Sequence, residues 1–186
     1  MIGYAFCGSF CTLSASLAEL RKLVAAGEEV QPILSDAVYE TDTRFWRAAD
    51  FRREVETLCG RPVIHTIREA EPLGPKTPLD FLVLSPCTGN TLAKMAHGIT
   101  DTPVTMAAKA HMRTGRPMLI ALATNDALSA NLGNLALLLM RKGVYFLPLR
   151  QDDPVGKPSS LVADFSRLSE AYAAAREGRQ LRPLFL

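Results

Sequence analysis

The chain has 186 residues, 48% of them hydrophobic and 22% charged, a balance that suits one soluble globular domain with a full core. Its 21 basic and 19 acidic residues leave a formal charge of +2, too little to expect a nucleic-acid surface. No apolar run reaches the length that crosses a bilayer, and "MIGYAFCGSF" has neither the basic region nor the cleavage site of a signal peptide, so a cytoplasmic location is expected.

"IGYAF" (2–6) reads as a first strand. A helix over "SASLAELRKLVAAG" follows, capped by Thr12 or Ser14, with Leu17, Leu20, Leu23 and Val24 on one face and Gly27 as its C′ residue. "EEVQPILS" is a second strand. "TDTRFWRAADFRREVETLCG" has helical periodicity ending at Gly60, and "PVIHTI" is a short third strand. The breaker-rich "REAEPLGPKTP" is a loop. "LDFLVLS" and "PMLIALAT" are apolar at consecutive positions, the mark of strands buried on both faces of a parallel sheet. Between them lie helices over "NTLAKMAHG" and "PVTMAAKAHMRTG". "ANLGNLALLLMRKG" is helical, "VYFLPL" a strand, and "SSLVADFSRLSEAYAAAREG" a helix capped by Ser159 or Ser160. The apolar tail "RQLRPLFL" is expected to pack on its own chain or on a neighbour.

Alternating strands and helices, with no linker or repeat, predict an α/β fold over residues 1–186: one doubly wound parallel sheet, Rossmann-like, strand order 3-2-1-4-5-6, helices on both faces. Ligands bind such sheets beyond the carboxyl ends of the strands, where the strand order reverses. That rule brings "CGSF" (7–10) beside "SPCTGNT" (85–91).

Both loops are poor in side chains and lead into helices, and helix N-termini suit anions. Ser9, Thr12, Thr88 and Thr91 offer hydroxyls. Neither loop is a P-loop or a G-x-G-x-x-G turn, so the residues fit two readings, a phosphate site or plain N-capped turns. "SDAVYETDTRF", "ATNDALSAN" and "RQDDPVGKPSS" converge on the same edge as a pocket. There Asn125 and Asp126 either meet a ligand or form an Asx-turn, and Asp152 and Asp153 suit a turn before Pro154. Cys7, Cys11, Cys59 and Cys87 lack paired spacing, so neither zinc nor a disulfide framework is expected. His65, His97 and His111 give no catalytic signal.

"SPCTGNTLAKMAHGITDTP" resembles the central motif of the flavoprotein family that includes FMN-dependent cysteine decarboxylases and flavin prenyltransferases. The Pro86-Cys87-Thr88-Gly89-Asn90-Thr91 run matches that family's flavin loop in order, and "CGSFC" matches its first loop, with Ser9 at the phosphate-binding hydroxyl. "ETDTRF", "EAEPLGPKTPLD", "ATNDALSAN" and "QDDPVGKPSSLVA" are similar to one branch, the B subunits of a two-subunit synthase. The resemblance implies FMN, held by Gly8, Ser9, Phe10, Ser35, Pro86, Cys87, Thr88, Gly89, Asn90, Thr91, Thr124 and Asn125, with Asn90 and Asn125 the candidates for a catalytic role and no metal. It also implies a partner, the A subunit of that synthase, with its own dinucleotide-binding fold, through which alone a nicotinamide dinucleotide would enter. The implied reaction removes two hydrogens from a dihydropyridine dicarboxylate in the mother cell of a sporulating bacterium.

Lys76, Lys109, Arg113 and Lys157 are the cations considered for holding the dicarboxylate. A homo-oligomer, a trimer or a multiple of one, is implied as well; Phe45, Trp46, Phe51 and Phe185 fit two readings, a contact surface between subunits or burial within one subunit. The decarboxylases carry a His where this chain reads "EPLGPKTP", and of their substrate motif "ATNDAL" keeps only Asn125. Those two places leave flavin-dependent decarboxylation as a distant alternative only. A scaffold or dicarboxylate-binding protein without flavin is the other class of function that the sequence accommodates.

Overall fold

The computed structural model of the chain describes residues 1–74 and 76–186. Its centre is made by three strands with no polar face: β1 (Ile2–Phe6), β3 (Phe81–Cys87) and β4 (Met118–Thr124). Every residue of β1 and β3 is buried, as is β4 up to Ala123. Continuous apolar runs have no solvent side, so these strands settle in mid-sheet with helices on both faces.

β2 (Val30–Leu34) pairs parallel with β1, and β1 with β3 in the register Tyr4↔Val83. β3 pairs parallel with β4, and the outer edge of β4 is shared. Its first half takes β5 (Val144–Phe146) in parallel; Ala123 and Thr124 take β7 (Leu161–Ala163) antiparallel, and β6 (Leu149–Arg150) closes on β7. The expected strand order holds, but the sheet is mixed.

Two expected elements differ. "PVIHTI" contributes a single bridge, Ile33↔Ile64, because Thr66 and Glu69 draw the next residues into a capping box that opens α4 (Ile67–Ala70). The expected helix from Ser159 begins instead as β7, and α8 (Leu168–Arg176) starts nine residues later. Ser159 and Ser160 cap nothing; Ser160 Oγ donates to Asp152.

α1 (Leu13–Ala25) and α8 pack together on one face of the sheet, with α3 (Ala48–Cys59) against α1 and the short α2 (Asp36–Glu40). α4, α5 (Gly89–Ala96), α6 (Pro103–Met112) and α7 (Leu132–Leu139) pack against one another in a chain on the other face. α3 starts later than its periodicity suggested, since Asp42 accepts from the Ala48 N–H. A buried polar knot docks α1. The Tyr4 hydroxyl donates to Ser16 O at 3.0 Å, and Ser16 Oγ lies 2.8 Å from Ser85 Oγ and 2.6 Å from Ser85 O. Every hydroxyl in it is satisfied, which is what burial of polar groups requires.

Of the aromatic residues considered for oligomer contacts, Phe51 is core and Trp46 packs on it edge-on, with its Nε1 donating to Ser14 Oγ. Phe45 and Phe185 stay exposed. The tail packs on its own chain, Leu149 N–H donating to Leu184 O at 2.7 Å.

Candidate functional site

Where β1 and β3 end side by side, the Cys7 N–H donates to Pro86 O at 3.0 Å, which fixes the two following loops against each other. The first loop turns through Ser9. Thr12 does not cap α1, and neither does Ser14. Thr12 Oγ1 donates to Ser9 O at 2.9 Å and lies 3.0 Å from Ser9 Oγ, which leaves the Ser9 hydroxyl hydrogen free to point elsewhere. Among the described residues, the N–H groups of Gly8, Phe10 and Cys11 find no acceptor.

The second loop opens α5. Thr88 is its N-cap, and its Oγ1 accepts from the Thr91 N–H at 3.3 Å. One orphan donor of the helix is thereby used, as a cap uses it. The N–H groups of Gly89 and Asn90 keep no acceptor among the described residues. Two helix starts therefore turn unpaired amides and partial positive charge toward one place.

A third wall is the end of β4. Thr124 Oγ1 donates to Asp126 Oδ1 at 2.6 Å, and Asn131 Nδ2 donates to the same oxygen at 2.9 Å. Asn134 continues the chain from Asn131 to His97, each link 2.9 Å. These hydrogen bonds hold the Asp126 carboxyl below its usual range, Thr124 more than Asn131. Asp126 is thus a structural knot. Asn125 beside it is exposed and its side chain makes no hydrogen bond within the described residues; the same is true of Asn90.

A strap over residues 151–160 forms the fourth wall. Asp153 makes the expected turn, its Oδ1 accepting from the Gly156 N–H. Asp152 is held by Ser160 Oγ at 2.8 Å, which lowers its pKa, and its Oδ2 lies 3.4 Å from Lys157 Nζ.

These walls enclose a cleft of about 310 Å³. Of the expected site residues, Gly8, Ser9, Thr88, Gly89, Asn90, Thr124 and Asn125 line it. Phe10, Ser35, Pro86, Cys87 and Thr91 do not. Phe10 packs toward the core. Pro86 and Cys87 are the buried last residues of β3. Thr91 is turned inward, its Oγ1 accepting from Thr88 Oγ1. Ser35 is buried at the end of β2, its backbone N–H on Phe6 O, and its Oγ has no partner among the described residues. Cys7 and Cys87 lie beneath the cleft, where Cys7 beside it and burial push the Cys87 thiol well up.

Cys11, Thr12, Asp152 and Lys157 also line the cleft. The signal for the last two was the polar loop after the final strand; no local pattern marked Cys11. Of the four cations considered for a dicarboxylate, Lys157 alone lines this cleft. Lys109 and Arg113 lie at the opposite edge of the sheet. None of the three histidines lines the cleft: His65 stacks on Tyr39, His97 bonds Asn134, and His111 is buried with its Nε2 on Pro117 O.

The family profile described as Flavoprotein matches residues 2–161. The chain belongs to the Flavoprotein family. Among curated relatives, the B subunit of dipicolinate synthase from Bacillus subtilis (strain 168) is 43% identical over 185 residues, covering all of this chain and 92% of that one. The crystal structure of the dipicolinate synthase B subunit from Bacillus halodurans is 39% identical, with a TM-score of 0.91, and covers all of this chain and 95% of that one. The FMN-dependent cysteine decarboxylase SpaF shares the fold at 22% identity, with a TM-score of 0.68 and coverage of 94% and 95%. In this Flavoprotein chain the donor set fits a flavin phosphate on physical grounds. Among the described residues, the unpaired amides of Gly8, Cys11, Gly89 and Asn90 and the free Ser9 hydroxyl hydrogen belong to residues that line one cleft, and no carboxylate side chain stands in the first two loops.

Proposed function

We propose that the chain is the FMN-binding B subunit of a dipicolinate synthase, an oxidoreductase component that works with the A subunit of dipicolinate synthase to oxidise dihydrodipicolinate to dipicolinate in the mother cell of a sporulating bacterium. The observation that carries this reading is that the residues bearing the unpaired Gly8, Cys11, Gly89 and Asn90 amides line one cleft, in a chain 43% identical over its full length to a dipicolinate synthase B subunit. Those amides, with Ser9, would hold the phosphate of FMN, and Thr124 and Asn125 would line the rest of the flavin. When bound, the flavin supplies an acceptor for the two electrons that aromatisation of the ring releases.

The chain's own groups orient and neutralise. Lys157 meets a substrate carboxylate, and Asp152, ionised and fixed by Ser160, holds Lys157 in place. Its lowered pKa makes Asp152 a poor base, so its contribution is positional. Asn90 and Asn125 present free carboxamides that can donate to ring or carboxylate oxygens. Any nicotinamide dinucleotide enters through the A subunit. The chain works as a homo-oligomer, a trimer or a multiple of one; exposed Phe45, Leu132, Leu137 and Met140 supply apolar contact surface.

The test is turnover of dihydrodipicolinate by the two mixed subunits, with the B subunit loaded with or stripped of FMN. Flavin-dependent product is expected. Equal activity from the stripped protein would make the chain a scaffold.

A further inference from the structure

At the amino edge of the sheet, opposite the candidate flavin cleft, α5, α6 and α7 all end beside the starts of β4 and β5. Their ends frame a second cleft of about 350 Å³, within the rough range of 300–1,000 Å³ of small-molecule sites. Among the described residues its lining carries five cations, Lys109, Arg113, Arg116, Arg141 and Lys142, and no acid. Met95, Ile99, Met112 and Val144 give it an apolar floor.

Two ordinary explanations are available for such a cluster, and neither accounts for it. Cations at helix carboxyl ends complement the helix dipole, worth about −0.5 charge per end. Three ends supply roughly −1.5, against five full positive charges in the lining. Ion pairing does not absorb the remainder either. Arg116 is committed, donating to Leu79 O at 2.8 Å and lying 3.4 Å from Asp80. Among the described residues Lys109, Arg113, Arg141 and Lys142 have no carboxylate partner. Arg141 instead lies across the floor, its Nη1 3.1 Å from Met112 Sδ. The whole chain has a net charge of only +2, so this concentration of positive charge is local.

We infer that this cleft binds a small organic dianion, two carboxylates on a compact apolar body, at a site separate from the flavin cleft. Arginines at its wall suit carboxylates through paired N–H donors, and the methionines and Ile99 suit a flat apolar ring. Inorganic phosphate would satisfy the charge but leave the floor wet. The inference stands apart from the flavin reading, since no residue of one cleft lines the other.

The experiment is isothermal titration of the full chain with pyridine-2,6-dicarboxylate, and in parallel with inorganic phosphate. It compares wild type, the double variant Arg113→Ala/Arg141→Ala, and Lys157→Ala. FMN titration and thermal melting of each variant report separately on the flavin cleft and on folding. The expected result is dicarboxylate binding tighter than about 1 mM, weakened at least about tenfold in the double variant. The binding that the double variant loses should persist in Lys157→Ala, be stronger than phosphate binding, and be diminished by added salt. Loss of binding in Lys157→Ala alone overturns the inference by placing the dianion in the other cleft. So does phosphate binding as tightly as the dicarboxylate, or no dicarboxylate binding by a folded wild-type chain. An arginine variant that keeps FMN but loses dicarboxylate supports it; a chain that binds neither fails both readings, and its melting curve shows whether it folds.

Discussion

A Cβ placed on Gly89 would stand 2.5 Å from Thr124 Oγ1 and 2.6 Å from Asn131 Nδ2. The amino end of α5 and the carboxyl end of β4 therefore meet at a distance that only glycine allows, over the Asp126 knot. This contact sets the width of the candidate flavin cleft, because Gly89 and Thr124 are two of its walls.

Gly89→Ala is accordingly expected to push the Thr124–Asn131–Asp126 cluster apart. The neighbours are short, hydrogen-bonded side chains rather than flexible ends, so overpacking costs about 1–3 kcal/mol. Thermal or urea unfolding reads the stability loss, and FMN titration should show weaker binding in the folded variant. An unchanged melting curve would mean the cluster yields freely.

Asp126→Ala removes the acceptor shared by Thr124 and Asn131, at an expected cost of about 1–2 kcal/mol at neutral pH for these partly buried bonds. Its pH dependence has a definite sign. The carboxyl is depressed in the fold from its usual 3.8, so its contribution is complete above that value and fades as pH falls through the lower folded one. The stability gap between wild type and Asp126→Ala should therefore close below about pH 4. Unfolding curves from pH 7 to pH 3 measure it, and a gap that widened with acid would contradict the assignment.

Lys157→Ala separates function from stability. The side chain is about half exposed and its nearest carboxylate oxygen is 3.4 Å away, an arrangement worth at most about 0.5 kcal/mol. Melting should barely move. If Lys157 meets a substrate carboxylate in the flavin cleft, turnover in the mixed-subunit assay should fall at least about tenfold, mainly through KM. A fall in kcat alone would assign it a different role.

Much of this architecture could be read from runs such as "IGYAF", "FLVL" and "MLIALA", since a strand apolar at every position has only the middle of a sheet to occupy. The edges were harder to read. "TIRE" carries a capping box, T-x-x-E, yet the neighbouring "PVIHTI" has strand-like composition, and the local hydrogen bonds of Thr66 and Glu69 won. Leu161–Ala163 became a strand because the half of β4 beyond β5 offered an unpaired edge, which is a tertiary effect invisible in the local pattern. At the site, the glycines and hydroxyls of both loops were legible. Whether a side chain faced the cleft or the core was not: Thr88 and Thr91 differ in this although they stand three residues apart on one helix start.

The central claim is that the paired loops hold flavin phosphate, and absorbance titration of the purified chain with FMN tests it most directly, run beside a Ser9→Ala variant. A yellow complex of one FMN per chain with a perturbed flavin spectrum is expected, bound at least about fivefold more weakly when the Ser9 hydroxyl is gone. A chain that melts cooperatively, yet leaves the FMN spectrum unchanged at saturating concentrations, would contradict it.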